Sequence, residues 1–288
     1  MAGKLLITGA AGQLGQALVQ AGARQGWEAA ATDVHDLDIT DPQAVRRELS
    51  RRRPEVVINA AAATGVDDLE SDPDGALLVN ALGPRNLAVA CRRLGIKLIH
   101  LSTDYVFDGA KPGAYVEWDK TEPLSVYGRS KLLGEEWVRQ QCPDHFIVRT
   151  AWLYGVPGPN FVTAILARGR HLAPDGELKV VQDQRGTPTS TLALAPQLLA
   201  LAATEAFGTY HATCQGETTW YEFACLILKA AGITVRVTPC TTAELPRPAP
   251  RPANSVLENR LLQVAGLDRM PAWQAAFQQF WEAYGDRL

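Results

Sequence analysis

The sequence predicts an α/β fold, a Rossmann-like doubly wound parallel sheet with a smaller, loop-rich C-terminal substrate-binding region. Three observations predict it. Short apolar runs alternate with amphipathic stretches through the first 150 residues, a glycine-rich turn follows the first run, and turn signals thicken after about residue 150. Strands separated by helices at this spacing form a parallel sheet covered on both faces. Such a sheet places its ligand at the carboxyl ends of the strands.

The elements follow in order. Residues 5–8 read as a buried strand and 13–24 as a helix, then 28–32 as a second strand. Asp41 should cap a helix over 42–53, whose leading proline needs no hydrogen-bond donor. Residues 56–60 form a third strand, 76–94 one long helix, and 97–101 a fourth strand. Residues 125–141 are helical and 146–149 extended. Beyond them, turn signals gather at 155–160, 183–188 and 216–219, and residues 246–252 hold four prolines, which excludes helix and central strand. The implied division is a dinucleotide-binding domain over residues 1–150 and a mainly substrate-binding region over 151–288, able to return elements to the first.

Composition narrows the function. The 288 residues carry 28 basic and 31 acidic side chains, a net charge of −3, whereas a generic nucleic-acid binder is basic. Five cysteines include no Cys-x-x-Cys pair and no histidine at finger spacing, so a zinc site is not expected and free thiols of a reducing compartment are. No apolar run approaches the ~18 residues of a membrane span. The expectation is a soluble, cytoplasmic protein with neither nucleic acid nor membrane as partner.

Gly9-Ala10-Ala11-Gly12-Gln13-Leu14-Gly15 lies between the first strand and first helix. Gly9 permits a tight turn, Gly12 lets amides approach a pyrophosphate, and Gly15 permits close helix packing. A glycine triplet alone also occurs in simple turns; its position between strand and helix favours a dinucleotide loop. Asp33, ending the second strand, can bind a ribose 2′-hydroxyl or stand as a solvated turn residue. The small residues after Asn59, Ala60 to Ala63, let a flat ring approach the backbone, or serve helix packing alone.

Ser102-Thr103-Asp104-Tyr105 follows the fourth strand at the ligand edge. Tyr127 and Lys131, four residues apart, share one helix face. An ammonium beside a phenol is expected to draw the phenol pKa from ~10 toward working pH. With a Thr103 hydroxyl sharing the substrate oxygen, this is apparatus for moving a proton on an alcohol or carbonyl while a nicotinamide moves hydride. The histidines are scattered and receive no catalytic role; His100 is expected to pack in its strand. The arginines of 46–53 read as a solvated helix face.

These motifs resemble the extended short-chain dehydrogenase/reductases and, within them, the dTDP-4-dehydrorhamnose reductase family. The likeness runs through STDYVFDG (102–109), RTAWLY (149–154), DQRGTPT (183–189), TTWYEFA (218–224) and RPANS (251–255). It implies that Gly9, Gly12, Gln13, Leu14, Gly15, Asp33, Asp38, Ile39, Ala62, Ala63 and Thr64 line the dinucleotide together with Tyr127 and Lys131. It also implies Tyr127 as proton donor beside Lys131 and Thr103, and Thr103, Asp104, Tyr105 and Trp152 as contacts of the sugar nucleotide, Trp152 offering an apolar face to the sugar. The implied reaction is NAD(P)H-dependent reduction of the C4 ketone of dTDP-4-dehydro-6-deoxy-L-mannose to dTDP-L-rhamnose. Arg185 and Arg251 are candidates for the diphosphate or ordinary surface arginines.

Some relatives carry a magnesium-bridged dimer on helix carboxylates, but the matching positions here are Ala17 and Leu192. Neither side chain ligates a hard cation, so magnesium is not expected, and both monomer and homodimer stay open. A sugar-nucleotide dehydratase would carry glutamate where Tyr105 follows Asp104. A non-catalytic NADP-binding regulatory subunit, like the beta subunit of methionine adenosyltransferase, or a reductase of a related 4-keto sugar nucleotide are the other readings. With Asp33 at the strand end and no Arg or Lys among residues 33–38, NADH should serve at least comparably to NADPH.

Overall fold

The computed structural model describes residues 3–173 and 176–288. Five strands and their helices lead the chain: β1 (Lys4–Thr8), α1 (Gln13–Arg24), β2 (Glu28–Thr32), α2 (Pro42–Arg52), β3 (Val56–Asn59), α3 (Pro73–Leu77), α4 (Gly83–Leu94), β4 (Lys97–Thr103), α5 (Val126–Gln141) and β5 (His145–Thr150). Asp41 caps α2 as its sequence suggests, accepting from the amides of Gln43 and Ala44.

The long helix expected over 76–94 is three pieces. A π turn at Leu78–Leu82 separates α3 from α4. Pro84 explains it: a proline inside the helix has no N–H to return to the carbonyl four residues back, so the turn widens. The carboxamide of Asn80, buried in that turn, accepts from the Ala63 amide at 2.9 Å and donates to the Ala63 carbonyl at 3.0 Å. The fourth strand also runs two residues further than its apolar run, to Thr103, because Leu98–Thr103 pair in register with His145–Thr150.

The second half supplies β6 (Leu153–Tyr154), α6 (Phe161–His171), β7 (Glu177–Val181), β8 (Arg185–Gly186), β9 (Thr189–Ser190), α7 (Thr191–Ala202), β10 (Gly208–His211), β11 (Thr218–Thr219), α8 (Trp220–Ala230), β12 (Arg236–Cys240), α9 (Arg260–Val264) and α10 (Trp273–Tyr284). One of these strands rejoins the first half: the main sheet is parallel throughout, in the order β10-β5-β4-β3-β1-β2. The other new strands form three two-stranded sheets.

Alternation along the strands sorts the core into two faces. Leu5, Ile7, Val56 and Ile58 join a large cluster with residues of α1, α7 and α10, whereas Leu6, Val57, Leu98 and Ile147 join a second one with α2 and α4. Strand order reverses at β1, between β2 and β3, so their carboxyl ends open the crevice in which doubly wound sheets bind ligands. Among the described residues no helix is long and apolar enough to cross a membrane.

Candidate active site

A cavity of about 620 Å³ occupies that crevice, walled by the loops after β1, β3 and β4, the start of α5, and residues of the second half. Gly9 holds a left-handed φ of 66°, and any Cβ there would lie 2.7 Å from Ala61 Cα. At Gly15 a Cβ would stand 2.3 Å from the Gly9 carbonyl oxygen, so the helix closes on the turn only as glycine. Gly12 caps α1 with no side chain of its own, which leaves the helix amides for an anion. Gly9, Gly12, Gln13, Leu14, Gly15, Ala62 and Thr64 all line the cavity. The Gln13 side chain donates to the Pro159 carbonyl at 2.9 Å and accepts from Asn160 at 3.3 Å, drawing the loop over 157–160 across the glycine turn.

Four residues expected on the dinucleotide stand outside this lining. Asp33 braces the glycine turn, its Oδ2 accepting from the Ala11 amide at 2.8 Å and its Oδ1 from Val34 at 2.8 Å. Asp38 Oδ1 accepts from the amide and hydroxyl of Thr40. Ile39 is buried in the second core cluster against Gly83, and both backbone polar groups of Ala63 are held by Asn80.

Tyr127 and Lys131 come to the cavity on the first turns of α5, which Ser125 starts by accepting from the Gly128 amide. The Lys131 ammonium donates to the Leu101 carbonyl at 2.5 Å. Thr103 accepts from the Tyr105 amide at 3.2 Å and donates to Asp104 Oδ1 at 3.0 Å. The rings of Tyr105 and Tyr127 meet edge to face at 5.6 Å.

The electrostatics correct one expectation. Burial pushes the Tyr127 phenol up to about 12, with the Thr103 hydroxyl pulling down and the Asp104 charge pushing up. The shift runs away from neutrality, because desolvation of the phenolate is its largest cause. Tyr127 therefore keeps its proton at neutral pH, the state a general acid needs. Burial draws Lys131 itself down to about 8, opposed by the charge of Glu135. The same cause lifts Asp104 to about 6, against the pull of the nearby Ser255 and Thr103 hydroxyls.

Trp152 lines the cavity but does not present an open face as expected. Its backbone is left-handed (φ 47°), its ring lies flat on Trp220 at 3.4 Å and 7°, and its Nε1 donates to Ser255 Oγ at 3.1 Å. A Cβ on Gly186 would stand 2.2 Å from Trp152 Cε2, so that glycine seats the indole. Both candidate arginines are paired. Arg185 meets Glu217 at 2.8 Å, and Arg251 grips Asp67 with two bonds of 2.7 and 2.9 Å. The Asp67 contact, joined by Ala249 N at 3.2 Å, straps the proline-rich segment to the loop after β3. His100 packs inside β4 with its Nδ1 3.1 Å from Asn59 Nδ2. Among the described residues no group of three or more His, Cys, Asp or Glu could hold a metal ion.

Sequence reasoning missed three contributors: Trp220, the loop 157–160, and the buried Glu135–Arg149 pair behind Lys131. Pro157-Gly158-Pro159 gave a turn signal, but nothing local says that it folds over Gln13.

Fold and site together define a Rossmann-type protein of the short-chain dehydrogenase/reductase class. Within that class the chain belongs to the family described as RmlD substrate binding domain, whose profile matches residues 3–285. It is 45% identical over 285 residues to a dTDP-4-dehydrorhamnose reductase of Streptomyces griseus, covering 96% of this chain and 93% of that one. It is 41% identical to a dTDP-4-keto-6-deoxy-D-glucose reductase of Streptomyces niveus, covering 97% and 96%. Among solved structures it resembles the dTDP-4-dehydrorhamnose reductase of Bacillus anthracis in complex with NADP, with a TM-score of 0.94, 38% identity, and coverage of 98% and 100%.

Proposed function

We propose that this protein is an NAD(P)H-dependent reductase of the C4 ketone of dTDP-4-dehydro-6-deoxy-L-mannose, yielding dTDP-L-rhamnose. The observation that carries the reading is the convergence of Thr103, a protonated Tyr127 and Lys131 on one cavity beside an uncapped helix amino end. The uncapped end of α1 and the closely fitted Gly15 suit a dinucleotide pyrophosphate, and the nicotinamide, when bound, supplies the hydride to the sugar C4.

The chain's own residues handle the oxygen. Tyr127 donates to the ketone oxygen, the Thr103 hydroxyl turns to it from Asp104, and the Tyr127 phenol gives its proton to the alkoxide that develops there. Lys131, fixed on the Leu101 carbonyl, keeps a positive charge near the phenolate left behind. Trp152 and Trp220 wall the sugar side, with Asp104 and Tyr105 at the same edge. Arg251 and Arg185 are not assigned to the diphosphate, since each holds a carboxylate.

The test follows loss of reduced-nicotinamide absorbance with dTDP-4-dehydro-6-deoxy-L-mannose, and separately with dTDP-4-keto-6-deoxy-D-glucose. Oxidation with the first and formation of dTDP-L-rhamnose are expected. Cofactor binding without turnover of either sugar would instead mark a non-catalytic nucleotide-binding subunit. Names of relatives sharing over 40% of this sequence favour the reductase.

A further inference from the structure

Behind the catalytic helix lies a buried ion pair that the proposed chemistry does not use. Glu135 sits on α5 one turn after Lys131, with its side chain fully shielded, and Arg149 on β5 is 4% exposed. The pair is bidentate: Arg149 donates Nε to Oε1 at 2.9 Å and Nη2 to Oε2 at 2.7 Å. Ser102, the residue before Thr103, donates its hydroxyl to Oε1 at 2.6 Å. One carboxylate thus ties together the helix carrying Tyr127 and Lys131, the strand end carrying Thr103, and the neighbouring strand.

A buried pair of this kind is seldom more stable than apolar residues of the same volume, so its presence calls for a purpose beyond packing. We propose that Glu135 is a positioning residue, fixing α5 against the end of β4 through Ser102 and Arg149 and setting the charge around the Lys131 ammonium. The proposal rests on the roles given above to Tyr127, Lys131 and Thr103. It explains why so polar a cluster stands under the site: the carboxylate offsets the burial that works against the charge of Lys131.

The other groups around the pair do not substitute for it. Arg139 approaches Glu135 from solvent at 3.6 Å and adds positive charge. His100 and His211 are held low by burial, His211 to about 3, so both stay neutral through the working range. Glu117 is raised by burial, and its Oε1 is already engaged by the amides of His211 and Leu261.

The test compares wild type with Glu135→Gln and Ser102→Ala by two readouts. Lysine-labelled NMR follows the Lys131 titration directly and needs no turnover; the pH profile of kcat follows its consequence. Glu135→Gln should lower the Lys131 midpoint by on the order of one pH unit, as loss of a neighbouring opposite charge does. The high-pH limb of kcat should move with it, while KM for the nicotinamide cofactor stays near its wild-type value. Ser102→Ala removes one neutral hydrogen bond and no charge, so it is expected to fold, to leave the midpoint in place, and to lower kcat through misplacement of Thr103. An unmoved Lys131 midpoint in folded Glu135→Gln overturns the electrostatic role. If that variant does not fold, wild-type kcat in Ser102→Ala overturns the positioning role. A wild type without reductase activity but with the expected Lys131 shift would sink the proposed function and leave this inference standing.

Discussion

The Thr103 hydroxyl donates to Asp104 Oδ1 at 3.0 Å, and Oδ2 of the same carboxylate is buried without a partner. A carboxylate so placed destabilises the fold whenever it is charged. Its pKa stands at about 6 in the folded protein against 3.8 otherwise, so the native state binds the proton more readily. Stability from this group is present below about pH 4 and is lost as pH rises toward 6. Asp104→Asn, which keeps Oδ1 for Thr103, should therefore stabilise the protein at pH 7 by up to about 3 kcal/mol, the equivalent of the shift. Urea unfolding at pH 7 and pH 4 checks it: the gain should vanish at the lower pH, and an equal gain at both would refute the assignment.

Tyr127→Phe should lower kcat by ~10²–10⁴ while cofactor binding stays close to wild type. The change removes the proton donor and keeps the ring that packs on Tyr105. Turnover above half of wild type would exclude Tyr127 as the acid.

Gly186→Ala should act like damage to Trp152. The added methyl would meet the indole at 2.2 Å and displace it from its seat. KM for the sugar nucleotide should rise in both Gly186→Ala and Trp152→Ala, with KM for the cofactor changed less. Because both act on one ring, the double substitution should do little more than Trp152→Ala alone. Unchanged constants in both single variants would make the stack mere packing.

Asp33→Ser should shift preference toward NADPH, on the order of tenfold in the ratio of kcat/KM values. The Asp33 carboxylate stands at the end of β2, and its charge opposes a 2′-phosphate there. Since the carboxylate also holds the Ala11 amide, both cofactors should bind somewhat more weakly in the variant. Wild type preferring NADPH by more than tenfold would show that a cation from elsewhere reaches the phosphate.

What the sequence made legible was what repeats locally. The five strands of the first half announce themselves through apolar runs, and Gly9 to Gly15 through spacing between strand and helix, whereas β10, the edge strand of the same sheet, was not read. The π turn was hidden because the helical pattern over 76–94 runs on through Pro84, and the pattern does not show how the backbone accommodates an interior proline. The Tyr127–Lys131 spacing puts both residues on the wall of one cavity, but the direction of the phenol's shift was not legible, since spacing carries no measure of burial. Trp152 was found by its motif; that its ring is stacked on Trp220 depends on a helix 68 positions away in the chain.

The strap between Asp67 and Arg251 joins positions 184 residues apart. Closing a loop of that length costs more chain entropy than a local contact does, and during synthesis its second partner emerges late. During synthesis β1, β3 and β4 can pair as they emerge, but the sheet lacks its edge strand until residues 208–211 arrive, and the clasp of Arg251 on Asp67 waits longer still. A chain stalled before Arg251 would hold the cavity-lining residues, all of which lie at or before Trp220, but not the clasp on Asp67. The topology thus sets the order in which the parts become available: nucleotide cradle first, the clasp of the proline-rich segment last.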